Sequence, residues 1–380
     1  MWNQQILSVY SGEKLTKQLI FCVESDSRAK GAPMKDTHEL VKEYYSSAST
    51  ENDGQLATSV CCCSSHGMGR QVKEISAQLP DEILTKYYGC GSPLPDVLEG
   101  CTVLDLGCGT GRDCYVAAKL VGPSGRVIGV DMNDDQLAIA EKYHTEMAAR
   151  WGFDNVEFRK GYIEDLKSAG IPDVSVDVVI SNCVINLADE KQKVFSEIWR
   201  ALKNGGELYF SDIFADRRVP DEINHDPVLL GECLGGSMYV EDFRRMLYKA
   251  GWNDYRVVSC TNVPINNSEI EEKVGNIGYT SDTIRAVKLP DLIEDAAENY
   301  GQFIRYDGGI PEHEHSWSLD MNHTFIKDLP VSVSGNTCAM IQHTRFSRYF
   351  TVFGDRSHHF GWFEEPEACC SDDGGSEGCC

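Results

Sequence analysis

TVLDLGCGTGRDCYVAAKLVGPSGRVIGVDM, residues 102–132, opens with a short β-branched and leucine-rich run, turns through three glycines, and continues as a ten-residue amphipathic stretch before a second β-branched run. A short apolar run reads as a strand and a longer amphipathic one as a helix, so this segment is a β–α–β unit with parallel strands. The pattern extends outward. DQLAIAEKYHTEMAARWG (135–152) reads as a second helix, VEFRKGYI (156–163) as a third strand and VDVVISNCVI (176–185) as a fourth. EKQKVFSEIWRALKNG (190–205) reads as a helix that ends at Gly205-Gly206, and ELYFSDIF (207–214) as a fifth strand. The fold class is α/β, a Rossmann-like doubly wound sheet.

Residues 216–250 read as largely helical, and YRVVSCTNV (255–263) with TIRAVKL (283–289) as an antiparallel hairpin at the sheet edge. Beyond 291 the alternation stops, and QFIRYDGGI, HTFIK and CAMIQHTRF point to a small strand-containing C-terminal domain. Upstream, a helix is expected over about 36–45, followed by the polar loop 46–60. The expected divisions are 1–75, an N-terminal helix with a cysteine-bearing loop; 76–290, the main domain; 291–360, the C-terminal domain; and 361–380, a flexible Cys-rich tail.

The glycine loop carries the first chemical message. Gly107, Gly109 and Gly111 let a cofactor approach the backbone, and Asp131, twenty residues after Gly111, ends the next strand where a carboxylate accepts hydrogen bonds from ribose hydroxyls. A dinucleotide would call for G-x-G-x-x-G facing a pyrophosphate. Here the spacing is shorter and Asp105 precedes the loop, which suits a cationic amino-acid cofactor such as S-adenosylmethionine.

With 59 acidic and 35 basic side chains, the formal charge of −24 repels phosphate backbones and anionic lipid faces, so neither nucleic acid nor a membrane surface is an expected partner. Nowhere do ~18 consecutive apolar residues occur, and the N-terminus lacks the features of a secretory or transit segment. A cytoplasmic location is expected. Sixteen cysteines then imply thiols kept reduced for metal or redox chemistry. Cys22, Cys101, Cys108, Cys114, Cys260 and Cys338 sit in or beside apolar or glycine-rich stretches and read as small buried hydrophobes. The histidine pairs His313/His315 and His358/His359 read as solvated surface residues.

Tyr87-Tyr88-Gly89-Cys90-Gly91, LDLGCGTGRDCYV, GVDM, GYIEDL, SNCVINL, GGELYFSDI and GECLGG together make the chain resemble the arsenite methyltransferase family over roughly residues 36–345. The resemblance implies a class I methyltransferase fold that uses S-adenosylmethionine to turn arsenite into mono- and dimethylated products, as detoxification. It implies arsenic(III) ligation by Cys183 of SNC and Cys233 of GEC, with Cys90 as third ligand. A fourth functional cysteine falls in the Cys61-Cys62-Cys63 triplet; the register stays open, with Cys61 or Cys62 favoured. By the same resemblance Tyr88, Gly89, Met132, Ile163, Glu164 and Asn182 line the cofactor pocket. An arsenic-binding insertion is expected within 76–290.

Thiolates suit a soft, thiophilic centre better than carboxylates or imidazoles do. Three sulfurs leave arsenic a lone pair to attack the methyl carbon in line, so no general base is needed and the protein supplies alignment. Methyl transfer oxidises arsenic formally, and closure of a disulfide, with Cys90 and a triplet cysteine as the expected pair, returns the electrons. A thiol reductant, thioredoxin or glutathione, is then an expected partner. A monomer is expected. The alternatives are a methyltransferase acting on a small organic acceptor, for which the cysteines are incidental, and a thiol-rich metalloid buffer, which leaves the cofactor loop without a purpose. Zinc at the triplet is disfavoured because zinc sites space their ligands. The tail's Cys369-Cys370 and Cys379-Cys380 are read as passive metal binders more than as carriers of arsenic inward, since such tails are usually dispensable for folding and site geometry.

Overall fold

The computed structural model describes residues 41, 69–87, 89, 91 and 93–366, all within one compact unit. Cys22, Cys61, Cys62, Cys63, Tyr88, Cys90, the expected 36–45 helix except Val41, and the terminal cysteine pairs lie outside the described residues.

Two short helices, α1 (Arg70–Ser76) and α2 (Asp81–Thr85), lead to β1 (Thr102–Leu106). Then follow α3 (Arg112–Val121), β2 (Arg126–Asp131), α4 (Asp134–Lys142), α5 (His144–Trp151), β3 (Val156–Lys160) and β4 (Val176–Asn182). The stretch expected as one helix over 135–152 is thus two helices that meet at Tyr143. A 3-10 turn at Ile185–Leu187 precedes α6 (Lys191–Ala201) and β5 (Leu202–Ala215). Next come α7 (Asp221–Asn224), α8 (Pro227–Gly231), β6 (Met238–Tyr239), α9 (Val240–Ala250), β7 (Arg256–Asn262), α10 (Ser268–Val274) and β8 (Tyr279–Val287).

The main sheet runs β3-β2-β1-β4-β5-β8-β7, with β6 on the end of β5. Strands β1 to β5 are mutually parallel, while β8 runs antiparallel to both β5 and β7. The buried strands β1, β2 and β4 carry Val, Leu and Ile on both faces because helices cover both sides. The chain passes from β1 outward through β2 and β3, then returns to place β4 on the other side of β1. That reversal opens a crevice beyond the carboxyl ends of β1 and β4, the usual ligand position in such sheets.

The helix expected to end at Gly205-Gly206 stops at Ala201 instead. Leu202 already pairs with Val176, and the next matched pair is Glu207 with Val178, so residues 203–206 form a bulge on β5. The glycines serve that bulge rather than a helix cap.

The C-terminal part holds β9 (Gln302–Tyr306), β10 (Ser316–Ser318), β11 (Thr324–Ile326), β12 (Pro330–Val333), α11 (Gly335–Gln342) and β13 (Phe350–Phe353). Three strands order as antiparallel β12-β9-β13, β10 and β11 pair separately, and Trp317, Phe325, Phe346 and Phe350 centre a core of their own. CAMIQ, expected as strand, belongs to α11, whose Ser334 N-cap accepts the Thr337 amide. A buried ion network ties this part to the sheet: Arg285 of β8 donates to Glu207 of β5 at 2.5 Å and to the Leu319 carbonyl, Arg345 pairs with Glu207, and Trp317 donates to Asp96 at 2.9 Å. Among the described residues, no helix is long and apolar enough to cross a membrane.

Candidate functional site

Every described glycine-loop and strand-end residue expected at the cofactor site converges on one pocket, with two exceptions. Asp105, Gly107, Gly109, Asp131, Met132, Ile163, Glu164, Asn182 and Cys183 all line it. Gly111 instead caps α3 behind the wall and packs on Phe158 and Ala140. Gly89 lies beside the pocket, where a Cβ would come within 2.6 Å of Asn182 Nδ2 and 2.7 Å of the Tyr87 hydroxyl. Gly107 has φ +66°, and a Cβ there would meet Val184 Cγ2 at 2.5 Å, so the cofactor loop presses directly on the residue after Cys183.

Asp131 is held by two backbone amides, Gly109 N–H at 2.8 Å and Asn133 N–H at 2.8 Å. Burial nevertheless raises its pKa, those amides acting in the opposite direction. Asp105 is pushed well above the usual carboxylate range, first by burial and next by the charge of Asp113. Asp113, which no motif reading singled out, accepts from the Tyr87 hydroxyl at 3.0 Å, pairs with Arg112, and receives Asn182 Nδ2 at 3.4 Å. Asn182 also donates to the Gly91 carbonyl at 3.1 Å. With Glu164, four carboxylates thus line one largely buried pocket. A bound cation relieves their mutual repulsion, whereas a pyrophosphate would add to it. The donor set fits a sulfonium and an ammonium.

The two cysteines stand at the next strand end. Cys183 follows β4 directly, donates its amide to the Ser211 carbonyl at 2.8 Å, and is 4% exposed. Cys233 is fully buried two residues past the end of α8, and its thiol donates to the Cys183 carbonyl at 3.3 Å. Both take left-handed backbone conformations, φ +54° and +62°. Such conformations are disfavoured for a side chain with a Cβ, and just beyond a helix end the residue is usually glycine. Two cysteines held this way, against each other and with Cys183 on a pocket wall, answer to a function better than to packing.

Sequence reasoning missed a third member of this group. Among the described residues, the His, Cys, Asp and Glu donors that lie close enough together to share an ion are Cys183, Cys233 and Asp212, all within 4.8 Å of one another. Asp212 sits on β5 with its carboxyl raised to about 7 by burial, against the amides of Ile213 and Asn186.

Cys183 is also disulfide-bonded; the disulfide pair that the resemblance implies, Cys90 with a triplet cysteine, lies outside the described residues. Cys101, Cys108, Cys114, Cys233, Cys260 and Cys338 are thiols. Cys108 and Cys338 are each raised to about 11 by burial, so they behave as the inert fillers expected of them, while Cys260 is only half-buried. His315, His358 and His359 are exposed as expected, His359 lying 2.9 Å from Glu298, while His313 is half-buried beside Asp96 at 3.3 Å.

Comparison with known proteins adds the rest. A methyltransferase-domain model matches residues 98–251, and an arsenite methyltransferase C-terminal domain model matches 300–375. An arsenite methyltransferase of Aquipseudomonas alcaligenes is 48% identical over 86% of this chain and 94% of its own length. One of Homo sapiens is 39% identical over 82% of each. The crystal structure of an arsenic(III) S-adenosylmethionine methyltransferase from Chlamydomonas reinhardtii superposes with a TM-score of 0.76 at 44% identity, covering 78% of this chain and all of that one. With both domain models matched in order and the likeness running through nearly the full length of the bacterial relative, the chain belongs to the arsenite methyltransferase family.

Proposed function

We propose that this protein transfers methyl groups from S-adenosylmethionine to trivalent arsenic held by cysteine thiolates, giving mono- and dimethylated arsenicals. The observation that carries the reading is the placement of Cys183 on the wall of the cofactor pocket with Cys233 hydrogen-bonded to its carbonyl. S-adenosylmethionine supplies a methyl group on a cationic sulfonium when bound. Asp131 would take the ribose hydroxyls, Asp105 and Asp113 the cationic amino-acid end, and Ile163 with Glu164 the adenine.

Arsenic on thiolates keeps its lone pair, so the arsenic–carbon bond forms as the carbon–sulfur bond breaks, and arsenic formally gives up two electrons. A pair of thiols returns them by closing a disulfide. Cys90 and a triplet cysteine remain the proposed pair, with thioredoxin or glutathione as the reductant that reopens it. The disulfide at Cys183 adds a requirement: this sulfur must be reduced before arsenic binds, so a thiol supply is needed for the first turnover as well as for later ones. A cytoplasmic, monomeric enzyme fits this need for reduced thiols.

The test is transfer of labelled methyl from S-adenosylmethionine to arsenite with thiols supplied, comparing wild type with Cys183→Ser and Cys233→Ser. Methylated arsenic from wild type and none from either variant is the expected result. Activity surviving in both variants would refute thiolate-held arsenic and turn attention to a small organic acceptor.

A further inference from the structure

Asp212 is a buried carboxylate that the mechanism above does not use. It reaches the thiols through sheet register: Asn182 pairs with Ser211 between β4 and β5, which sets the following residues, Cys183 and Asp212, side by side. Its carboxylate lies within 4.8 Å of both the Cys183 and Cys233 sulfurs, with no exposure to solvent. Donors hold it rigidly. Oδ1 accepts Asn186 Nδ2 at 2.7 Å and the Ile213 amide at 2.9 Å, and Oδ2 accepts the Asn186 amide at 3.1 Å. The charge of Lys191 also acts on the carboxylate, and a ligand held by both sulfurs comes within the carboxylate's reach.

Arsenite is such a ligand. It reaches neutral solution as an uncharged trihydroxide, and each thiol that binds exchanges S–H and As–OH for S–As and one water, arsenic staying trivalent. After Cys183 and Cys233 have bound, one hydroxyl remains. We propose that Asp212 is a positioning residue for arsenite: its carboxylate accepts the hydrogen bond of that last hydroxyl and fixes how arsenic sits on its two thiolates until a third thiol displaces it. This rests on the arsenic reading above and deepens it. Methylarsonous acid loses both of its hydroxyls to the same two thiols and presents a methyl group instead. Asp212 therefore distinguishes the first methylation from the second.

The experiment is single-turnover methyl transfer by the full chain, reduced beforehand with a phosphine so that no small thiol takes the hydroxyl's place. Wild type, Asp212→Asn and Asn186→Ala are compared over concentration series of arsenite and of methylarsonous acid. For Asp212→Asn the apparent affinity for arsenite falls by about tenfold or more, the scale of one charge-assisted hydrogen bond, while that for methylarsonous acid is essentially unchanged. Asn186→Ala keeps the carboxylate but removes one of its anchors, and shows a smaller loss with the same preference; it carries the test if Asp212→Asn fails to fold. Adding a small thiol, which replaces the hydroxyl, narrows the gap between wild type and variant. Equal losses for the two arsenicals, or no loss for arsenite, would overturn the role of Asp212. A wild-type protein that methylated neither would overturn the arsenic reading itself.

Discussion

Replacing Gly107 by alanine tests whether the cofactor loop and the thiol-bearing turn are packed as one unit. Two terms add. At φ +66° an L side chain costs ~1–2 kcal/mol. The new Cβ would also lie 2.5 Å from Val184 Cγ2 and 3.0 Å from Val184 Cβ, and overpacking of this kind costs ~1–3 kcal/mol. The sum is ~2–5 kcal/mol of stability. Because Val184 follows Cys183, relief of the clash moves the thiol, so binding of S-adenosylhomocysteine and arsenic methylation fall together. Urea unfolding gives the stability change, and titration calorimetry the affinity. The decisive comparison is Gly107→Ala/Val184→Ala, which removes the clash with the Val184 γ-carbons and leaves the tight 3.0 Å Cβ contact and the backbone strain. It should recover ~1–3 kcal/mol relative to the sum of the two single variants. Additivity within ~0.5 kcal/mol would mean that loop and turn share no packing, and the reasoning would fail.

Asp131→Ala should weaken S-adenosylhomocysteine binding by roughly tenfold or more while circular dichroism stays native, since the carboxylate is the expected ribose acceptor; unchanged affinity would remove it from the site. His323 is buried, which works against its charge, but bonds to Asp320 at 2.8 Å and Glu365 at 2.6 Å raise its pKa to about 9. A folded value above the unfolded 6.5 means stability present in full below pH 6.5 and lost as pH rises through 9, about 3 kcal/mol at most from a rise of roughly 2.5 units. Urea midpoints should fall over that window in wild type and stay flatter in His323→Gln. Arg285→Met leaves Glu207 buried beside Arg345 alone, and breaking such a pair should lower stability by ~3–5 kcal/mol in urea unfolding; a neutral effect would mean that the network does not bind the C-terminal strands to the sheet.

What the sequence revealed of the fold was what local patterning controls. The alternation from 102 to 160 is visible because each strand is a short β-branched run and each helix an amphipathic one. The misreadings fall where tertiary contacts decide. Gly205-Gly206 looks like a helix end, yet the pairing of Leu202 with Val176 starts β5 straight after Ala201 and leaves the glycines in a bulge. In α11 the residues from Gly335 to Ile341 are all buried, so no polar face marks the helical period and the run reads as easily as strand. The insertion of β8 between β5 and β7 likewise leaves no mark on either strand's own pattern.

The site divides along the same line. Gly107, Gly109 and Asp131 are legible because one β–α–β unit brings them together: the Gly109 amide reaches Asp131 across adjacent strands of a single short segment. Asp212 has no such signature. In SDIF it looks like an ordinary polar position within an alternating strand. Its meaning comes from three segments at once: β4 delivers Cys183, the β4–β5 register sets Asp212 beside it, and the helices between β5 and β6 return Cys233 to the same point. The left-handed φ values of the two cysteines are equally silent, since nothing in SNC or GEC announces a conformation that glycine would adopt at less cost. Strain kept at two cysteines and a carboxylate buried between them are both unfavourable to folding alone, and under the proposed role the second eases when an arsenic hydroxyl meets the carboxylate. A ligand that relieves that cost stabilises the fold as it binds, so arsenite should raise the unfolding midpoint of the reduced wild-type protein by more than that of Asp212→Asn.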